Sequence, residues 1–187
     1  MKVNLIYLTN LNYRKSLFRE IGKISEFTLI AGKKSPYDNI ISYTNCVGFN
    51  FSRLKNLFFL SGRHKLTLQI PTIKTLKLIL NSRNSHFVFL GVDPHIISSI
   101  FYSLILISFG YKVSFWGHGT VGSGIVKFVR IFLFKKSHRI IVYGYNAEIL
   151  SYPQFKHKVK VIGNTMNWED YKKNSFPQKN KAKIEII

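Results

Sequence analysis

The residues best suited to chemistry fall in one glycine-rich stretch, Trp116-Gly117-His118-Gly119-Thr120. His118 follows an apolar run and stands between two glycines, which let the backbone turn sharply and a ligand come close. An imidazole at that point can hydrogen-bond a ligand hydroxyl such as a sugar's, or act as a general base near neutral pH. The plainer alternative is a loop histidine with no task. Further along, Gly122 and Gly124 precede an expected helix start, where free N–H groups favour an anion such as phosphate. Gly117, Gly119 and Gly122 stand at GxGxxG spacing, a weak signal on its own, and GxxxxGK[ST] is absent, so the phosphate signal is weak.

Basic residues supply the other contacts. Arg14, Lys15 and Arg19 lie in the helix expected after the first strand, and Lys15 and Arg19 share a face at i, i+4. They suit a phosphorylated acceptor or lipid headgroups, or simply a solvated face. Lys127 and Arg130 share a face of an otherwise apolar helix, with Phe128, Phe132 and Phe134 nearby. That is the pattern of a helix lying in an anionic membrane interface, although Lys135 and Lys136 are equally explained as partners of the helix dipole. Asp93 before Pro94 is expected to cap a helix on the ligand edge.

Absences narrow the chemistry. No HExxH, GxSxG or Cys-His nucleophile arrangement appears, and the six histidines do not cluster at metal-ligand spacing, so no metal site is expected. Acidic residues are too few for a confident paired-carboxylate hydrolase site. The lone cysteine, Cys46, excludes an intramolecular disulfide framework and a multi-cysteine zinc cage, and a reducing compartment is expected.

Positioning these residues requires short buried strands alternating with helices. Strands are expected at 3–8, 27–31, 86–90, 112–116, 139–143 and 158–162, with shorter ones near 46–49 and 66–69. Helices are expected at 13–23, 71–80, 94–109, 125–136 and 147–152, from apolar residues at helical spacing. The alternation predicts right-handed βαβ units on a parallel sheet, a Rossmann-like α/β domain with helices on both faces. In such a sheet ligands sit beyond the carboxyl ends of the strands, which selects loops 9–12, 91–94, 117–124 and 163–165. Asn10 and Arg14 at the first and Gly117, Gly119 and Thr120 at the third are the expected binding residues.

The chain of 187 residues carries 28 Lys+Arg against 8 Asp+Glu, a formal net charge of +20. Hydrophobic content of 46% excludes a disordered basic tail. The charge suits an anionic partner, or reflects no more than scarce acids. No helix-turn-helix, RNP or KH pattern is present and the basic residues are spread along the chain, so nucleic acid is not an expected partner. The apolar run 96–109 is shorter than a spanning helix, and no crossing of a membrane is expected. From residue 172 the texture turns polar and basic, reading as a linker, and KIEII at 183–187 reads as a further strand.

Three segments, KVSFWGHGT, SHRIIVYGYNAEIL and KVKVIGNTMNWEDY, resemble the N-terminal domain of family 4-like, GT-B fold glycosyltransferases. Val161-Ile162-Gly163-Asn164-Thr165-Met166-Asn167 resembles that family's hinge between two domains. The resemblance implies an acceptor-side domain at 1–171, with 172–187 as linker and first strand of a donor-binding domain. It implies transfer of a sugar from a nucleotide-sugar, a substrate rather than a resident cofactor, to a sugar or lipid-linked acceptor. His118 would contact the reacting sugar, and Asn164 and Thr165 would lie at the cleft edge. Peripheral association with the cytoplasmic membrane face and surface polysaccharide synthesis are implied too. Two departures stand out: no glutamate pair has the family's donor-site spacing, and Leu8-Thr9-Asn10 lacks glycines. Activity is therefore expected only with a donor-binding half, in the same chain or in trans. The alternative is a basic membrane-surface-binding module without catalysis.

Overall fold

The computed structural model describes residues 1–9, 14–33, 46–61, 64–82, 84–93 and 95–162. The chain runs β1 (Lys2–Thr9), α1 (Lys15–Ile24), β2 (Glu26–Gly32), β3 (Asn50–Ser61), β4 (His64–Pro71) and α2 (Ile73–Leu80). It continues through β5 (Ser85–Leu90), α3 (Ile97–Ser108), β6 (Lys112–Gly117), α4 (Gly124–Lys136), β7 (Arg139–Val142) and β8 (Val159–Val161). These strands form one eight-stranded sheet in the order β4-β3-β2-β1-β5-β6-β7-β8. All neighbours are parallel except β3 and β4. The fold is Rossmann-like α/β, as the alternation of apolar runs predicts.

Strands covered on both faces read as continuous apolar runs, which is how β1 and β5 fold at the centre. One face of β1 and β2, carrying Leu5, Phe27 and Leu29, packs under α1. There Phe18 of α1 is fully buried, its ring 5.6 Å from Phe27 and 6.0 Å from Phe49. The opposite face, carrying Ile6, Ile30, Phe87, Phe89 and Phe115, packs against Leu106 of α3 and Leu133 and Phe134 of α4. Helices thus cover both faces.

Helix α3 ends where glycine predicts. Gly110 adopts φ +77, which only glycine takes without strain, and Gly110 N–H and Tyr111 N–H donate to Ile107 and Leu106 carbonyls. Its start differs from expectation. The Asp93 carboxylate accepts from His95 N–H at 2.9 Å in a turn that precedes the helix, and Ile96 occupies the cap position. Ile96, non-helical at φ −106 and ψ 75, is held by a parallel bridge to Thr67, and the helix begins at Ile97.

The largest departure is the β3–β4 hairpin. Residues 46–49 form a turn rather than a strand, and a strand of 12 residues begins at Asn50. The pattern is hard to read because its buried positions are polar. Ser52 is buried with its hydroxyl 2.7 Å from that of Thr75, and Gln69 and Thr67 are buried while Leu68 and Ile70 face out. Pro71 ends β4, and α2 starts two residues later, with the Thr72 hydroxyl accepting from Thr75 N–H at 3.2 Å. Residues 163–187, including the hinge-like motif, the linker and the KIEII strand, lie outside the described residues, as do Asn10 and Pro94.

Candidate functional site

The sheet order reverses between β1 and β5: from β1 the chain steps outward to β2, and from β5 it steps the opposite way to β6. Loops diverging from adjacent parallel strands leave a crevice at that point. The crevice is a cleft of about 410 Å³, walled by Tyr7 and Leu8 of β1, residues 90–93 after β5, residues 116–120 after β6, and Tyr143 after β7. Arg14 and Arg130 enter it from α1 and α4, and Asp93 is the one acid in its wall among the described residues.

Arg14 is built into this wall. It is only 6% exposed, and its guanidinium lies 5.3 Å from the ring centres of both Trp116 and Tyr143. Its Nη2 donates to the Tyr143 hydroxyl at 2.7 Å. A planar, weakly hydrated cation can sit between aromatic rings where an ammonium could not. Of the basic trio on α1, the cleft therefore takes Arg14 but neither Lys15 nor Arg19.

His118 stands exposed at the rim, its ring 5.0 Å from that of Tyr143 and edge-on to it. Gly117, Gly119 and Thr120 line the same rim. Gly119 has a structural reason to be glycine. It adopts φ +68, and a Cβ there would fall 2.7 Å from Val142 and 2.9 Å from Ile149. Its carbonyl also accepts from Ile149 N–H at 3.0 Å, which pins the histidine loop to the turn following β7.

The anion expected at Gly122 is supplied by the chain itself. The Glu148 carboxylate accepts from Val121 N–H at 2.7 Å and from Gly122 N–H at 3.1 Å. Those backbone bonds, chiefly that from Val121, hold its pKa below the ordinary glutamate value, with Lys127 and Arg130 assisting. A phosphate at these N–H groups would have to displace a tethered carboxylate.

The two residues read together on α4 separate. Arg130 is half-buried on the cleft side, its Nε donating to the Val92 carbonyl at 2.8 Å, which ties α4 to the loop after β5. Lys127 is exposed, with its ammonium 5.8 Å from the centre of the Tyr152 ring. Ile125, Phe128 and Phe132 are exposed along α4, whereas Phe134 is buried in the core.

Sequence reasoning missed the support of the β1 wall. The Asn56 amide donates to the Leu8 and Lys33 carbonyls at 2.7 and 2.8 Å. The Gln69 amide donates to the Tyr7 carbonyl and to Asn56 Oδ1, both at 3.1 Å. Two polar residues at inward positions of neighbouring strands were the available signal. Asn164 and Thr165 fall outside the described residues, as does Asn10, so the cleft is assembled here from Arg14, Gly117, His118, Gly119, Thr120 and Arg130. Among the described residues no group of three or more His, Cys, Asp or Glu could hold a metal ion. The arrangement offers an imidazole, aromatic walls and buried positive charge, which suits a hydroxyl-bearing ligand with an anionic group. In comparisons with known proteins, no family model and no curated protein matches the chain.

Proposed function

We propose that the chain is the acceptor-binding half of a GT-B-type glycosyltransferase, acting on a sugar or lipid-linked acceptor. The observation that carries this reading is the cleft at the sheet's reversal point, with His118 at its rim and Arg14 in its wall. The resemblance of KVSFWGHGT and the hinge-like motif to that family supports it. In this reading His118 positions or polarises the reacting hydroxyl, and the charge of Arg14 holds an anionic part of the acceptor. The nucleotide-sugar's diphosphate is bound by a second domain, so residues 1–187 alone give no turnover. The test is saturation-transfer NMR with a panel of oligosaccharides and polyprenyl-phosphate saccharides. Binding weakened about tenfold by His118→Ala supports the reading. Absence of saccharide binding, or robust sugar transfer by this chain alone, overturns it.

A second reading, a basic membrane-surface module, rests on the exposed Ile125, Phe128 and Phe132 along α4, beside exposed Lys127. Sedimentation with liposomes decides it. Binding that needs anionic lipid and falls with salt favours it, whereas salt-insensitive or absent binding removes it.

A further inference from the structure

On the face of the sheet opposite α1, a cavity of about 550 Å³ lies between α2, α3 and the strands. Pockets that take small molecules are concave, mostly apolar and of roughly 300–1,000 Å³, and this one, open to solvent on one side, falls in that range. Its floor is Ile6, Ile30 and Leu54, one residue from each of β1, β2 and β3. Three strands at a spacing of roughly 4.8 Å make that floor about 10 Å across. Ile79 of α2 and Ile105 and Leu106 of α3 form the walls. The two helices make little contact with each other, which leaves the space between them open.

We propose that this cavity binds a single aliphatic chain, fatty-acyl or isoprenoid, and does so independently of the sugar-transfer reading. Among the described residues no Asp, Glu, Lys or Arg enters the lining. One of its few hydroxyls, that of Tyr102, already donates to the Gln69 carbonyl. Among the described residues the lining is dominated by aliphatic and aromatic side chains and offers a polar ligand little beyond Tyr111, which favours an apolar guest. The mouth is marked by residues that both line the cavity and face solvent: Leu76 is 46% exposed, Leu80 59% and Phe109 72%. It therefore opens between the carboxyl-terminal ends of α2 and α3, on a different side from the cleft. A folded protein partner would cover the mouth without filling the interior, whereas one flexible chain does both.

The test is titration of the full chain with cis-parinaric acid, followed by displacement with fatty acids of eight to eighteen carbons and with geranylgeranyl phosphate. Saturable binding at one site is expected, with affinity rising with chain length to a cut-off set by the cavity. The stronger competitor identifies the natural source, acyl or isoprenoid. Ile105→Trp, which fills the space, should weaken binding at least tenfold, and Leu80→Asp at the mouth at least fivefold. Ile24→Ser, at the exposed end of α1, should leave binding unchanged. Circular dichroism checks the fold, and if Ile105→Trp does not fold, Leu80→Asp and the chain-length series carry the test. Absence of saturable binding, affinity that climbs without a cut-off, or full affinity in Leu80→Asp each overturn the proposal.

Discussion

Arg14 is the residue on which the cleft wall turns, because its guanidinium sits between two rings and donates to one hydroxyl. Arg14→Lys keeps the charge but loses the flat stacking surface, and is expected to cost about 1–2 kcal/mol in urea unfolding. An unchanged midpoint would show that the guanidinium contributes no stacking. Glu148 makes a separate prediction about the loop that carries His118. Its acidity is strengthened in the folded state, so it adds stability above the ordinary glutamate pKa, and that stability is lost as pH falls through the lower folded value. Glu148→Gln should remove this acid-side slope. At pH 7 the same variant should exchange the Val121 and Gly122 amide hydrogens faster, since both now donate to the carboxylate. Equal exchange rates in variant and parent would mean that the loop holds itself.

At the level of elements, α1 depends on Phe18, which fills the space between Phe27 and Phe49. Phe18→Ala is expected to cost about 3–5 kcal/mol, read by chemical denaturation, because the ring leaves a cavity enclosed by strands that cannot collapse. Elements whose pattern follows burial were legible in the sequence. LIYL in β1, FVFL in β5 and the glycine after α3 announce themselves through uninterrupted apolar runs and a stop signal. The hairpin was only half legible: the strand expected at 66–69 falls within β4, but its partner β3 was missed, and in β4 the buried residues are Thr67 and Gln69 while the outward ones are Leu68 and Ile70. Local polarity there reports hydrogen bonding to Tyr7, Asn56 and Ser98, partners far away in sequence. The same limit applies to the site. His118 and its glycines stand out by type and spacing, whereas Arg14 acquires its place only when Trp116 and Tyr143 arrive from distant strands. The self-supplied anion escaped notice because Glu148 and Gly122 meet only in three dimensions.

At the scale of the whole molecule, positive charge gathers where the lower ends of β5, β6 and β7 meet. His86 is half-buried with its Nε2 2.7 Å from the Ser114 hydroxyl, its ring 5.3 Å from that of His138, and Lys112 acts on both. Burial, then His138 and Lys112, push the His86 pKa down to about 4, and burial, then Arg139, Lys112 and Lys158, lower that of His138 as well. The unfolded chain therefore binds protons that the folded one refuses. Stability is full above the ordinary histidine value of about 6.5, falls as pH drops from there, and levels off below the folded value near 4. The melting temperature should drop between pH 7 and pH 4.5, less steeply in high salt and less steeply in His86→Gln. A flat profile in the parent protein would remove the histidine pair as its acid sensor. The order of the sheet has a different consequence, for the path of folding. β1 is hydrogen-bonded to β2 on one side and to β5 on the other, and β5 begins only at Ser85. As the chain emerges from a ribosome, β1 can pair at once with β2, yet its second edge stays open until the whole β3–β4 hairpin and α2 have been made. Long-range pairing of this kind is slow and leaves apolar surface and an unpaired strand edge exposed. Among the described strands β1 precedes β2 and β3 in the chain yet is fully paired after both, and the interval before β5 appears is when a nascent chain most needs protection from its neighbours.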